Sequence, residues 1–70
     1  MYAVVLDLKE KSVLVRNIES EKLSYLLIPK EGLEIGDTLQ VNIVKSFWEN
    51  GMTFFQAGFT KLNDEAHHFE

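Results

Sequence analysis

Few side chains in this sequence could carry out catalysis, and none stands in a pattern that active sites use. Asp7 lies within an apolar run, on the face that strand alternation gives to Val5, where a carboxylate could act as a general acid or base. A strand-end charge that pairs with Arg16 or a lysine is the commoner arrangement. Glu31 and Glu34 flank a turn, where carboxylates are usually solvated.

Other types of active site are missing from the sequence as well. It has no Ser-His-Asp or Cys-His set, no phosphate-cradling glycine loop and no catalytic carboxylate pair. His67 and His68 are adjacent, and adjacent side chains rarely converge on one metal ion without a third ligand at a suitable spacing. Without cysteines, disulfides and thiolate metal sites are excluded. We expect a non-enzyme with no metal, cofactor or small-molecule substrate.

The charge of the chain is concentrated at one end. The net charge is −4 at pH 7. Three of the eleven acidic residues lie in 63–70, which has no Lys or Arg, so residues 1–62 carry eight acids, seven bases and a charge of −1. A nearly neutral body disfavours binding to nucleic acid through phosphates, which normally requires a basic surface. It does not exclude binding by base stacking.

The N-terminal sequence and the lengths of the apolar runs indicate the compartment. The start, MYAVVLDLKEK, has no basic region before its apolar run, so we do not expect it to be a signal peptide. The longest apolar runs are far shorter than the roughly 20 residues of a membrane-spanning helix. The lack of cysteine is compatible with a reducing compartment. We expect a cytoplasmic protein that does not bind membranes.

Five runs rich in β-branched and aromatic residues predict five strands. They are separated by short polar or glycine-containing turns, and Pro29 suits a strand end because it lacks a backbone donor. Leu33 and Ile35, in the turn-rich segment between the third and fourth runs, are expected to plug one end of a core. The predicted strands span residues 2–8, 12–18, 23–29, 38–48 and 52–62.

Five short strands in 70 residues favour one small all-β domain, residues 1–62. A flat sheet would expose one face and two long edges, whereas a closed barrel hides both. We therefore expect a five-stranded antiparallel OB- or SH3-like barrel with a long C-terminal hairpin. Residues 63–70 form a short acidic tail, either frayed or a short helix capped by Asn63 or Asp64.

Two stretches resemble known β-barrel proteins. The segment from VVLDLKEKSVLV through LLIPKEGLEIGDTLQV resembles small bacterial β-barrel proteins of unknown function, and GLEIGDTLQVNIV resembles a turn that leads into a strand in OB, S1-like and SH3-like domains. The resemblance covers roughly residues 4–44. It implies a fold and no functional residues, and the aromatic RNA-binding signature of cold-shock domains is missing.

The last two runs form the most informative stretch. Asn50-Gly51 is the commonest type I′ pair and predicts a two-residue hairpin turn. Counting outward from it, Phe47 faces Phe54, Trp48 faces Thr53 and Val44 faces Ala57. One face then carries Lys45, Phe47, Phe54 and Gln56, and the other carries Val44, Ser46, Trp48, Phe55, Ala57 and Phe59.

Strict alternation creates a conflict in the fourth run, because it places Leu39, Val41 and Ile43, which we expect in the core, on the Lys45 face. One bulge within residues 42–45 would reverse the phase and resolve the conflict. Trp48, Phe55 and Phe59 would then point inward, and Phe47 and Phe54 would form an outward pair. The alternative is that both faces are buried, because the hairpin either folds over the mouth of the barrel or packs on the tail, where Phe69 would cover Phe47.

Under either phase, the hairpin arm (residues 45–56) carries aromatic rings on both faces, and a small barrel has only one interior. Exposed aromatic clusters usually mark a contact site. We therefore expect a protein-interaction module that binds a protein partner or forms a homodimer, for example by strand-edge pairing across a two-fold axis. The expected interface residues are Phe47, Trp48, Met52, Phe54 and Phe55.

The alternative hypothesis is single-stranded nucleic-acid binding. On an OB-type barrel, the second and third strands form the usual ligand face. Aromatic rings there would stack on bases, and basic side chains, including Lys9, would neutralise phosphates. The competing interpretation of Tyr25 is a half-buried strand tyrosine with a solvated hydroxyl. The expected nucleic-acid residues are Arg16, Tyr25, Lys45, Phe47 and Phe54.

Overall fold

The structure, a computed structural model, describes residues 1–62. This part of the chain contains five strands and no helix, so the all-β prediction is confirmed. The predicted strands agree with the observed ones, with ends that differ by no more than two residues. The strands are β1 (Tyr2–Leu8), β2 (Val13–Asn17), β3 (Leu23–Leu27), β4 (Thr38–Glu49) and β5 (Met52–Lys61).

The five strands form one mixed sheet in the order β1-β2-β3-β5-β4, and β1 also pairs with β4. The prediction that all strands are antiparallel is wrong, because β3 and β5 are parallel. Geometry explains the parallel pair. In a ring with an odd number of strands, direction cannot alternate at every step, so at least one neighbouring pair must be parallel.

The core lies inside this ring and is built from alternate residues of the strands. β1 contributes Ala3 and Val5, β2 contributes Val13 and Val15, and β3 contributes Leu26, all fully buried. Leu39 and Val41 of β4 join them, with Ile28 and Leu33 from the segment that connects β3 to β4. Four partly buried side chains pack against this cluster: Leu8, Phe55, Ala57 and Phe59.

A bulge in β1 changes the direction of Asp7. Val5 pairs with Val15 and Asp7 pairs with Leu14, so Leu6 is an extra residue in β1. Asp7 therefore leaves the face of Val5, on which strict alternation placed it. Its carboxylate accepts the Leu8 N–H (2.9 Å) and forms an ion pair with Lys9 (3.1 Å) rather than with Arg16.

The segment between β3 and β4 is bonded to β1 through the backbone of Val5 and to β5 through the Lys61 ammonium. Asp37 accepts the Glu34 N–H (2.7 Å) and its carboxylate lies 3.4 Å from the Lys61 ammonium. Leu33 is buried as predicted, but Ile35 is 66% exposed, so its predicted core position is wrong. A hydrogen bond from Asp37 N–H to Glu34 C=O closes a tight turn in which Ile35 is a central residue, and central turn residues project into solvent.

Within the described residues there is no helix of the length and hydrophobicity that crossing a bilayer requires. The predicted tail helix, Phe69 as a cover for Phe47, and His67 and His68 all lie outside the described residues.

Candidate functional site

The two longest strands, β4 and β5, position the arm. Asn50 and Gly51 have φ values of +52° and +78°, which confirms the two-residue turn with both central positions left-handed. The predicted pairs Phe47–Phe54 and Trp48–Thr53 are also confirmed. The arm is therefore a regular antiparallel ribbon with a fixed register.

The predicted bulge in β4 is confirmed, and it lies at Val44. Ile43 pairs with Ala57 and Lys45 pairs with Gln56, so Val44 has no partner residue on β5. The pairing of Val44 with Ala57 that an uninterrupted ladder predicts is therefore wrong. The bulge lets Val41 and Phe55 face the same core although strict alternation along β4 would separate them.

On the outer face of the sheet, three rings lie in one row across three neighbouring strands. Tyr25 pairs with Phe54, which pairs with Phe47, and the Tyr25 and Phe54 ring centroids are 5.7 Å apart. The Lys45 ammonium lies 5.2 Å from the centroid of the Phe47 ring, within cation–π distance. We call Tyr25, Phe54 and Phe47 the aromatic row.

The structure brings together four of the five residues of the nucleic-acid hypothesis: the aromatic row and Lys45. The fifth, Arg16, lies on β2 opposite Leu23, while the Tyr25 position is opposite Leu14. Arg16 is thus one strand away and displaced along the sheet. Arg16 is exposed and is not part of the row.

The residues of the interaction hypothesis are divided between surface and core. Phe47, Trp48 and Met52 are exposed at the arm, and Phe54 is half-buried against Tyr25. Phe55 packs against the core and offers little surface to a partner. The accessible part of the predicted interface is therefore the end of the arm.

The prediction that Trp48 points inward is wrong, since its side chain is 76% exposed. Trp48 nevertheless lies on the predicted face of the arm, because it pairs with Thr53 on the face to which Phe55 also belongs. Trp48 lies close to the turn, however, and both Ser46 and Thr53 beside it are exposed too. The core does not extend to this end of the arm, so the inward face has nothing to pack against.

A feature that the sequence analysis missed is an open backbone edge on β4. β1 pairs with β4 only at residues 38–40, and Met1 adds backbone hydrogen bonds with Val41. Residues 45–49 pair with β5 on one side, and no residue among 1–62 pairs with residues 44–49 on the other. We call this side of residues 44–49 the free edge. The sequence feature that could have indicated the free edge is the length of the fourth predicted strand (38–48), which exceeds that of the first (2–8).

Apolar side chains flank the free edge. Val44 is 72% exposed, and Phe47 and Trp48 are exposed as well. The expected core position of Ile43 is wrong, because its side chain is exposed at a point where β1 and Met1 no longer pair with β4. Phe47 and Trp48 also line an open groove of about 380 Å³ that reaches Leu27 and Lys11. Long apolar edges readily pair with another strand, and many proteins protect them with charges, proline or a cover.

Charges near the arm are few and of both signs. Lys45 and Glu49 lie on the outward face of β4, and the β1–β2 turn brings Lys9, Glu10 and Lys11 towards Met52 and Phe54. Within residues 1–62, no three His, Asp or Glu side chains are grouped closely enough to hold a metal ion. The arrangement is suited to contact with another molecule through apolar and backbone groups.

The chain was compared with protein-family models, with curated proteins and with solved structures, and nothing matched in any of the three. The function must therefore be inferred from the geometry of residues 1–62.

Proposed function

We propose that this protein is a non-catalytic interaction module of the cytoplasm whose arm binds a protein partner or a second copy of itself. The observation that carries the proposal is the exposure of Phe47, Trp48 and Met52 next to the free edge. Aromatic and methionine side chains are enriched at the centres of protein interfaces, where their burial contributes most of the affinity.

We propose further that the fold is a small barrel of the OB kind. The closed order of strand pairings supports this, as does the crossover that places β5 between β3 and β4. OB barrels are five-stranded Greek-key barrels, and they use the face of the second and third strands and the loops beside it for binding. Tyr25 on β3 and the β1–β2 turn occupy the corresponding places.

The exposed rings of the arm can be tested directly. In the double variant Phe47→Ser/Trp48→Ser, we expect the affinity for the physiological partner to fall at least about thirtyfold, because interface aromatics commonly contribute about 2 kcal/mol or more each. The measurement is affinity capture from a lysate of the source organism, followed by titration of the captured protein. Sedimentation reports self-association in parallel.

The matched control replaces two exposed apolar residues away from the arm, Ile18→Ser/Leu23→Ser. Circular dichroism must show that both double variants are folded. The proposal is wrong if the control weakens partner binding and self-association as much as the arm variant does, or if the arm variant weakens neither.

The aromatic row supports a second candidate function, single-stranded nucleic-acid binding. Its three rings and Lys45 lie on one face, which is how proteins of this class stack successive bases and neutralise the backbone. The net charge of −4 opposes this function. The row is nevertheless a specific arrangement that the sequence pattern alone did not require.

Titration of a fluorescent oligonucleotide at low salt tests this candidate. If the row stacks on bases, Tyr25→Ala should weaken binding by about five- to 150-fold, since base–aromatic stacking contributes about 1–3 kcal/mol per base. Tyr2→Ala is the matched control, because Tyr2 is an exposed strand tyrosine that lies outside the row. Binding should also weaken as salt rises. A lack of binding at tens of micromolar would exclude this candidate.

A further inference from the structure

We infer that the occupant of the free edge is a second copy of this chain, which pairs antiparallel to the first, with Phe47 of each copy at a two-fold axis. This inference rests on the proposed function, because it names the partner of the arm. It concerns backbone groups and charges of β4, whereas the proposed function requires only that the exposed rings be covered.

Backbone geometry selects the residues that can bond across the free edge. In a two-residue hairpin, the residues on either side of the turn form a hydrogen-bonded pair of the ladder, here Glu49 with Met52. Because hydrogen-bonded and non-bonded pairs alternate, Phe47 directs its backbone groups to β5. Ser46 and Trp48 direct theirs away from β5, towards the free edge.

A symmetric antiparallel pair centred on Phe47 uses these groups fully. Ser46 of each copy then faces Trp48 of the other, so each of these pairs exchanges two backbone hydrogen bonds. Phe47 faces its own symmetry mate in a non-bonded pair, in which side chains approach most closely. In this register each exposed ring of β4 gains a cross-strand neighbour, Phe47 beside its symmetry mate and Trp48 beside Ser46 of the other copy.

Charge selects this register from the others that the backbone permits. With Phe47 on the axis, Lys45 of each copy faces Glu49 of the other, which gives two opposite-charge pairs. Shifting the axis to Ser46 would place Lys45 opposite Phe47 and Glu49 opposite Ile43, and no charge pair would form. Within one chain Lys45 and Glu49 are about 13 Å apart along the strand, too far to pair.

The match between Lys45 and Glu49 is the reason to prefer a second copy over an unrelated strand. A foreign strand could bond to the same backbone groups, but nothing requires that its charges complement those of β4. In a two-fold symmetric dimer, one complementary pair of residues in the sequence, here Lys45 and Glu49, gives two charge pairs across the interface, because symmetry repeats the first.

The test uses Lys45→Glu and Glu49→Lys as separate variants and in mixture. Each variant alone places like charges opposite each other twice, so we expect its dimer to be at least about tenfold weaker than that of the wild type. In the mixture, positions 45 and 49 are both glutamate in one chain and both lysine in the other, so a heterodimer with two opposite-charge pairs should form. Sedimentation equilibrium and native mass spectrometry of differently tagged chains measure both quantities.

The double variant Lys45→Glu/Glu49→Lys guards against effects on folding, because it restores both opposite-charge pairs and should dimerise as the wild type does.

The inference is overturned if the wild type is a monomer up to about 1 mM, if the single variants dimerise as tightly as the wild type, or if the mixture gives no heterodimer. A monomer that binds another protein or an oligonucleotide through the arm also overturns it. Binding of a protein by such a monomer would leave the proposed function standing, and failure of the ring variants to matter would remove both.

Discussion

At the scale of single residues, neighbours on one strand have very different environments. Leu26 is fully buried in the core and Leu27, the next residue of β3, is 37% exposed on the outer face. Alternation along a strand predicts such a division. It cannot predict where the core ends, which is why Trp48 has the predicted phase and yet lies in solvent.

Truncation of these two leucines should have unequal effects. We expect Leu26→Ala to lower the free energy of unfolding by about 2–5 kcal/mol, because it leaves a cavity in the core. Leu27→Ala should lower it by less than about 1 kcal/mol, as is usual for surface substitutions. Urea unfolding followed by circular dichroism at low protein concentration measures both. A larger loss for Leu27→Ala would show that the core has been assigned to the wrong face of β3, and equal losses would show that both faces of β3 are buried.

At the scale of elements, the sequence was most informative where local chemistry is strong. Asn50-Gly51 requires left-handed backbone at two positions, which defines the turn and the register of the arm. The bulge at Val44 was predictable because only a phase reversal reconciles Val41 with Phe55. The free edge was not predicted, since it depends on where β1 stops pairing with β4, and no local pattern in β4 encodes that.

A proline in the free edge tests the assigned direction of the backbone groups. Ser46→Pro removes an N–H that points away from β5 and leaves the ladder of the arm intact, because edge positions of this kind tolerate proline. We expect a folded monomer, whereas Ser46→Ala should dimerise as the wild type does. Sedimentation and circular dichroism measure the two properties. Loss of folding would show that Ser46 bonds to β5, and a folded dimer would show that this edge is not used.

At the scale of the whole molecule, the count of strands was predictable and their directions were not. Each run was recognised from its own residues, but which strands become neighbours depends on the segment from Ile28 to Asp37 and on ring closure. Leu33 packs into the core while Ile35 points outward, because Leu33 precedes the turn that the Asp37 N–H closes and Ile35 is a central residue of that turn. Apolar spacing alone gives these two residues the same role.

In the candidate site too, contacts within a hairpin could be predicted and contacts between distant strands could not. The aromatic pair Phe47–Phe54 followed from the turn, but the contact of Phe54 with Tyr25 requires the parallel pairing of β3 with β5, which joins distant parts of the chain. Sequence patterns report such long-range pairings poorly because each strand carries the same alternation whichever neighbour it acquires.

The parallel pairing of β3 with β5 also has a consequence for the order of events in time. Three hairpins, β1–β2, β2–β3 and β4–β5, can each form from neighbouring residues, but the ring stays open until β5 pairs with β3 and β4 pairs with β1. Bringing distant strands together costs loop entropy before any contact compensates for it, so chains of this kind acquire their native state in milliseconds to seconds rather than microseconds. Until β5 arrives, the side of β3 that does not pair with β2 is open, in addition to the free edge of β4. At high concentration, newly made chains therefore pair with the wrong strand most readily during this interval.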